Sequence, residues 1–516
     1  MLNVYNTLSG KKEEFVPLKD GEVGMYACGV TVYDHSHLGH ARGAVVFDVI
    51  RRYLMHKGYR VKYVRNFTDV DDKIIKRAAE LGVGWKDIAE KYTLEYIKDM
   101  DALGVDRPDV EPKATDHIGE IIEIVKRLVE RGYAYASGGD VFFSVRKFEG
   151  YGKLSKKPID EMESGARVDV NEQKKDPLDF ALWKASKPGE PSWGSPWGPG
   201  RPGWHIECSA MSAKHLGDTF DIHCGGMDLQ FPHHENEIAQ SEAASGRMFV
   251  KYWMHNGFVN VNKEKMSKSL GNFFTIKEIL AAYEPEAIRL FLLSTHYRHP
   301  IDFSGQSLRD AKAALDRYYT MKEALDGALM GYKAGGGQVS DAARALDEKT
   351  SEFNARFYEA MDDDFNTSAV IGAIFEMVRE INRTLTEPAL KTDGSLVDAL
   401  YNAREQMDGK AGILNLFGTD PAVWFGRGTD TVEVVCKVDE LQTMKESLAG
   451  FGAVLRETGD GGHAISAKDI EALIDARNKA RSEKDWARAD KVRDLLALAG
   501  IELLDGAEGT KWQKKV

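Results

Sequence analysis

The sequence predicts an α/β protein: a parallel sheet flanked by helices, interrupted by an α+β insertion, followed by a helical bundle and a small terminal unit. Two observations carry this reading. Apolar runs of strand length alternate with helically spaced apolar segments over residues 1 to about 110, and the alternation resumes beyond residue 204. After Ser304 the strand pattern gives way to long stretches with apolar residues three and four apart.

In chain order, Val23 to Cys28 predicts a strand, Ala44 to Leu54 a helix, Val61 to Phe67 a strand and Asp71 to Leu81 a helix. Ile118 to Arg131 has helical periodicity and Asp140 to Val145 resembles a strand. Gly189 to Gly203 is crowded with Gly, Pro and Trp, which predicts an ordered loop without regular structure. Thr219 to Cys224 and Tyr252 to Val259 supply further strands, and a helix begins near Thr275. Leu308 to Ala328, Asp341 to Ala360 and Asn366 to Leu385 form the bundle, with an exposed turn at Gly335 to Gly337. Between Gly426 and Gly462 the pattern is mixed: Val432 to Val435 reads as a strand, Val438 to Ser447 as a helix, and Gly459 to Gly462 as a linker of no assigned role. Ser466, with Asp469 three residues on, signals a helix start and opens the last unit. The expected units are therefore 1–115, 116–203, 204–303, 304–425, 426–465 and 466–516.

A chain of 516 residues with 43% hydrophobic content can bury several cores. Four scattered cysteines, at 28, 208, 224 and 436, make no disulfide framework and fit a reducing cytosol. No leader-like start and no apolar run of membrane length stands in the sequence, so a soluble, cytoplasmic protein is expected. The formal net charge of −12 argues against indiscriminate nucleic-acid binding. A local basic stretch, Arg477, Lys479, Arg481, Lys484, Arg488, Lys491 and Arg493, is interleaved with acidic residues, and on charge alone a solvated helix face explains it nearly as well.

Three constellations carry chemistry. His37-Leu38-Gly39-His40 stands between a strand and a helix, at a helix N-terminus suited to phosphate, with Gly39 leaving room for a flat base. Lys265-Met266-Ser267-Lys268-Ser269 lies on a loop after a strand, where Lys265 and Lys268 suit a departing pyrophosphate. Each alone is an ordinary helix start or solvated loop; their order and placement together describe attack on the α-phosphate of ATP. The third is Cys28, Cys208, His233 and Glu237, a donor mixture that Zn²⁺ accepts. His233 and Glu237 are spaced to meet on one helix face, and Pro232 suits the start of that helix. Without a closely spaced Cys pair, the ligands are gathered from separate segments, which points to a functional metal. Residue by residue, buried apolar thiols and a helix-capping histidine are the plain alternative.

The two ATP motifs resemble the signatures of class I aminoacyl-tRNA synthetases, with Leu38 where the family more often has Ile. With the metal quartet, the chain resembles the cysteinyl-tRNA synthetases from end to end. The resemblance implies a Rossmann-like catalytic domain carrying a connective insertion that guides the acceptor end of tRNA. It implies that the quartet holds zinc which binds the thiolate of L-cysteine, discriminating against serine without an editing domain. It further implies ATP, with Mg²⁺, and tRNA(Cys) as partners, and a monomer. Gly29, Thr31, Thr68 and His223 match positions that contact the amino acid, and Trp204 an aromatic of its pocket. Arg481, Trp486, Asp490 and Asp505 match anticodon contacts, and the types suit stacking and base-edge hydrogen bonds. His35, His205 and His234 stay unassigned. Cys224 replaces a Gly expected in many relatives, and the region from Gly426 to Gly462 exceeds compact bacterial ones. Two rival readings are a cysteine ligase of the mycothiol pathway, which needs no anticodon unit, and a non-catalytic tRNA-binding paralogue, which needs no intact ATP motifs.

Overall fold

The computed structural model describes residues 1–158, 173–261, 264–265, 274–332, 338–426, 431–434, 438–457, 463–506 and 509–514. The chain divides into two units: Met1–Lys312, Asp347–Met377 and Ala403–Leu416 in the first, and Ala313–Leu346, Val378–Asn402 and Phe417–Val516 in the second. Segments of the expected 304–425 bundle are thus shared between the units. The expected Gly335–Gly337 turn and Gly459–Gly462 linker lie outside the described residues.

The first unit opens with a hairpin of β1 (Asn3–Asn6) and β2 (Lys11–Glu14). Its centre is a parallel sheet of β3 (Glu22–Ala27), β4 (Arg60–Arg65), β9 (Phe220–Gly226) and β10 (Val250–Asn256), in the order β10-β9-β3-β4. The helix α1 (Leu38–His56) follows β3, while α2 (Asp72–Leu81) and α3 (Trp85–Ala102) follow β4. Asp71 caps α2 by accepting from the Lys73 N–H. Because β3 leads away to β4 while β9 leads away to β10, a crevice opens beyond the carboxyl ends of β3 and β9. Cys28 ends up beside Cys224 there, its N–H donating to the Cys224 carbonyl at 3.1 Å.

Two buried arginines lock α1 in place. Arg42 donates to the carbonyls of Gly257, Phe258, His296, Tyr297 and His299. Arg289 pairs with Asp48 of α1 and donates to the carbonyls of Leu103, Gly104 and Leu414. Burying a guanidinium is costly unless its donors are satisfied, so both fix the segments they bridge.

The insertion contains α4 (Ile118–Glu130) and an antiparallel sheet of β5 (Ala134–Ser137), β6 (Asp140–Phe143), β7 (Phe180–Ala185) and β8 (Gly200–Pro202). The stretch expected to lack regular structure therefore contains a strand. Its glycines permit close approach: a Cβ on Gly203 would lie 2.0 Å from the Ala181 carbonyl oxygen, and one on Gly200 would lie 2.4 Å from that of Lys184. The insertion core of Val125, Leu128, Val141, Phe143, Leu182 and Trp183 continues into Ile206 and Ala210 of α5 (Trp204–Leu216) and Ala239 of α6 (Glu235–Ser245), so packing crosses the expected 203/204 boundary. Phe231 is extended at φ −141° and ψ 133°, the geometry of a residue just before a helix, and helical backbone starts at Pro232 as expected, passing through a π-helical turn before α6 begins at Glu235.

Beyond β10, β11 (Val259–Val261) pairs with β12 (Glu264–Lys265) and with β13 (Ile301–Phe303), while α7 (Ile276–Leu280) and α8 (Pro285–Leu293) lie between them in the chain. Four longer helices follow: α9 (Gly305–Ala328), α10 (Asp341–Asp362), α11 (Thr367–Leu385) and α12 (Gly394–Leu414).

In the second unit, β14 (Thr431–Val434), β15 (Leu455–Glu457) and β16 (His463–Ser466) form an antiparallel sheet accompanied by α13 (Val438–Ala449). The chain continues through α14 (Ala467–Ser482), α15 (Trp486–Leu498) and the hairpin β17 (Ile501–Gly506) to β18 (Gly509–Lys514). Ser466 caps α14 by accepting from the Asp469 N–H, as its sequence signal predicts. Met444, Leu448 and Ile465 share one core with Ile470, Leu473, Val492, Leu496 and Trp512, so the expected 465/466 boundary runs through packed side chains. Leu448, with 0% exposure, tests this. Leu448→Ala is expected to destabilise this core by roughly 2–5 kcal/mol and to weaken hydrogen-exchange protection in α14 and the β17–β18 hairpin. Loss confined to α13 would contradict a shared core.

Candidate active site and metal centre

The start of α1 is built from its own histidines. His37 is the N-cap, its Nδ1 accepting the Gly39 N–H at 3.2 Å, while Nδ1 of His40 accepts the His37 N–H at 3.3 Å. The rings stack with centroids 3.6 Å apart. Since each Nδ1 accepts, the proton of each neutral ring resides on Nε2, giving two donors at a helix end already favourable to anions. This loop is joined to the segment after the Lys-rich motif: His37 bridges Thr275, and the Ile276 N–H donates to the Ser36 carbonyl at 2.9 Å. Lys265 ends β12. Lys268, with Met266, Ser267 and Ser269, lies outside the described residues.

The quartet comes together at the crevice. Donor atoms of Cys28, Cys208, His233 and Glu237 lie within 4.8 Å of one another. Cys28 Sγ is 3.6 Å from Cys208 Sγ and 3.4 Å from Glu237 Oε1, while His233 Nε2 is 3.1 Å from Glu237 Oε1. Each comes from a different place: the end of β3, the middle of α5, the turn before α6 and the first turn of α6. A second set, Cys28, His223, His234 and Glu237, satisfies the same proximity.

Charge explains what the cluster needs. Burial works to raise the pKa of Glu237, but His223 and His233 outweigh it and hold the carboxylate at about 2. Burial works to lower that of His233, but Glu237 and Cys208 carry it up to about 10. The hydrogen bond from Cys28, against burial and with help from His233, brings Cys208 down to about 6, while burial, followed by Cys208 and Glu237, pushes Cys28 well above its usual value. A buried thiolate and carboxylate thus gather around a proton on His233. A divalent cation of zinc type suits the same position, displacing protons from groups that are good ligands once deprotonated. Nδ1 of His233 lies 3.0 Å from Nδ1 of His205, whose ring is kept neutral by burial and by His233, so His205 accepts and orients the His233 ring.

The expected amino-acid pocket surrounds this cluster. Gly29 donates its N–H to Asn66 Oδ1 at 2.8 Å, and a Cβ there would lie 1.5 Å from the Asn66 carbonyl oxygen. Thr31 and Thr68 are bridged through their backbones, and Thr68 Oγ1 donates to buried Glu207 Oε2 at 3.0 Å. His223 Nε2 is 2.9 Å from Glu237 Oε2, and its ring stacks on Trp253. Trp204, 36% exposed, lies with its ring 4.3 Å from that of His233. The sequence reading missed Asn66, Glu207 and Trp253, and left His205 without a role. Glu207 had a visible signal, a carboxylate within an otherwise apolar helix face beside Cys208; Asn66 had none.

In the second unit, Arg481 and Asp505 meet at 3.0 Å. Trp486 and Asp490 lie four residues apart on α15, Trp486 being 59% exposed.

The comparisons with known proteins agree with this geometry. The family described as tRNA synthetases class I (C) catalytic domain matches residues 14–313, and the DALR domain family matches residues 356–417. Among solved structures, methionyl-tRNA synthetase of Mycobacterium tuberculosis in complex with methionyl-adenylate is similar over 76% of this chain and 91% of its own, with a TM-score of 0.59 at 18% identity. The fold is that of a class I aminoacyl-tRNA synthetase. Cysteine–tRNA ligases of Geobacter sulfurreducens and Syntrophotalea carbinolica are each 54% identical to it over 100% of both chains, and that of Thermodesulfovibrio yellowstonii is 52% identical over the same coverage. The chain belongs to the cysteine–tRNA ligase family: it activates cysteine with ATP and joins it to tRNA. The mycothiol-pathway alternative draws no support from these relatives. Among the described residues no helix is long and apolar enough to cross a membrane.

Gly29 offers a direct check on the pocket. Gly29→Ala must move the Asn66 backbone, and a displacement of about 1 Å can cost roughly 10² in rate. Cysteine-dependent ATP–pyrophosphate exchange is expected to fall by about that factor; unchanged exchange would show that this close approach does not shape the site.

Proposed function

We propose that Cys28, Cys208, His233 and Glu237 hold a zinc ion that recognises the cysteine substrate through its thiolate. The observation that carries this reading is the convergence of four donors from separated parts of the chain, Cys208, His233 and Glu237 buried and Cys28 half-buried. Bound there, zinc would supply affinity for a soft, deprotonated sulfur over the neutral hydroxyl of serine, a distinction that pocket size alone makes poorly.

The remaining roles belong to side chains. His223 and His233 secure the two oxygens of Glu237, and His205 orients His233. Gly29, Thr31, Thr68 and Trp204 bound the amino acid, with Asn66 and Glu207 holding the backbone and hydroxyl that face it. Activation is an in-line attack of the cysteine carboxylate on the α-phosphate, forming cysteinyl-adenylate and releasing pyrophosphate. In the transfer step the 3′-terminal ribose hydroxyl of tRNA(Cys) attacks the aminoacyl carbonyl and AMP departs. Both steps depend on positioning and on donors aimed at developing negative charge. His37 and His40 serve the α-phosphate through Nε2, Gly39 admits the nucleotide, and Lys265 and Lys268 neutralise pyrophosphate, with Mg²⁺ accompanying ATP. Arg481, Trp486, Asp490 and Asp505 read the anticodon, and the enzyme works as a cytoplasmic monomer.

Two experiments test this reading. Active protein is expected to hold one zinc per chain, Cys208→Ser and His233→Ala to lower both metal content and cysteine affinity, and serine to be strongly rejected in exchange; metal-free active protein, or comparable activation of serine, would overturn it. His40→Ala is expected to slow adenylate formation by roughly 10²–10³ in single-turnover measurements with little change in cysteine binding. An unchanged rate would remove His40 from the reaction.

A further inference from the structure

Asp505 is more heavily engaged than a free reader of base edges. Its Oδ1 accepts from Arg477 at 2.9 Å and from the Thr510 hydroxyl at 2.7 Å; its Oδ2 accepts from Arg477 at 2.7 Å and from Arg481 at 3.0 Å. Each oxygen thus has two donors, which uses the in-plane acceptor capacity of a carboxylate. The pair with Arg477 is bidentate, the arrangement that fixes direction as well as distance.

Arg477 and Arg481 stand four apart on α14, on one face, yet differ in surroundings. Arg477 is 7% exposed, whereas the side chain of Arg481 is 43% exposed. Asp505 and Thr510 are cross-strand partners on β17 and β18, so both anchors of Arg477 sit on one rung of the hairpin. The short hydrogen bonds from Arg477 and Thr510 keep Asp505 ionised far below the usual carboxylate range. A fixed negative charge therefore faces the exposed guanidinium.

We propose that Arg477 is a positioning residue for anticodon reading: its fork fixes Asp505, and Asp505 in turn holds the exposed guanidinium of Arg481 toward the base it reads. This rests on the assignment of Arg481 to the anticodon, with Asp505 acting through Arg481. A guanidinium on a free four-bond stem samples many rotamers, whereas one tethered to a fixed carboxylate presents its remaining donors in one plane. Arg477 itself, being buried, meets no base.

The test uses the full-length, metal-loaded enzyme and transcripts of cysteine tRNA with the native anticodon and with single anticodon substitutions. Arg477→Met is expected to raise KM for the native tRNA roughly tenfold, with kcat for charging and cysteine-dependent exchange within about twofold. Its penalty should shrink on substituted anticodons, so discrimination between bases narrows. Arg477→Lys keeps the charge without the fork and should recover only part of the loss. Asp505→Asn, at a partly exposed position, should reproduce the Arg477→Met phenotype, and the double variant should be little worse than either single one. If Arg481→Ala weakens charging while Arg477→Met does not, the positioning role is overturned. A loss equal for all anticodons, or additive in the double variant, would make Arg477 a structural residue and overturn it as well. If Arg481→Ala itself leaves charging and base discrimination unchanged, the anticodon assignment beneath the inference fails instead.

Discussion

The carboxylate of Glu237 is the constraint on which the site depends. It is wholly buried, and a charge in that position is tolerable only when paired from several sides. His223 takes one oxygen and His233 the other, with Cys28 alongside. These partners dictate much of the surrounding architecture: β3 must end just before Cys28, β9 must run far enough to present His223, and the helical turn into α6 must bring His233 and Glu237 to the same point. The neutral histidine His205 and the stacked Trp253 then hold the rings in place. A cysteine–tRNA ligase must distinguish sulfur from oxygen, and this concentration of buried anionic donors is what a thiophilic cation requires.

The nucleotide end follows a different principle. At the start of α1 the backbone N–H groups and two stacked histidines make the proposed anion-binding feature, and both Nδ1 atoms are used to cap the helix. The geometry is stiffened from behind by Arg42 and Arg289, whose guanidinium groups are bonded largely to backbone carbonyls of distant segments. The bridge between His37 and Thr275 ties this loop to the chain that follows the Lys-rich motif. Adenylate formation needs its reacting groups fixed within fractions of an ångström, and these ties are the means by which the fold supplies that fixity.

Much of this was legible in the sequence, for identifiable reasons. Val23 to Cys28 is strongly apolar and Thr219 to Cys224 alternates polar and apolar residues before a run of glycines, so their strands were visible, and Ser466 with Asp469 marked a helix start that the structure reproduces. The quartet was legible because its residue types are selective and His233 and Glu237 have a helical spacing. Less was legible where glycine serves two purposes. Gly200 and Gly203 read as breakers, yet they let β8 lie against β7. Pro232 marked the helical turn that leads into α6, because an extended Phe231 precedes it and a proline suits a first helical position. Asn66 was invisible, since its contacts with Gly29 and Cys208 span the sheet and no local pattern encodes them. The continuity of the core from Leu448 to Trp512 likewise joins segments that composition separates.

The proposed recognition of cysteine is by sulfur binding at the Cys28, Cys208, His233 and Glu237 centre. The most direct measurement is optical titration of the cobalt(II)-substituted enzyme with cysteine and, separately, with serine. Cysteine is expected to strengthen the thiolate-to-metal charge-transfer absorption beyond what Cys28 and Cys208 give, and serine is not. A spectrum unchanged by saturating cysteine, in protein that still forms cysteinyl-adenylate, would contradict it.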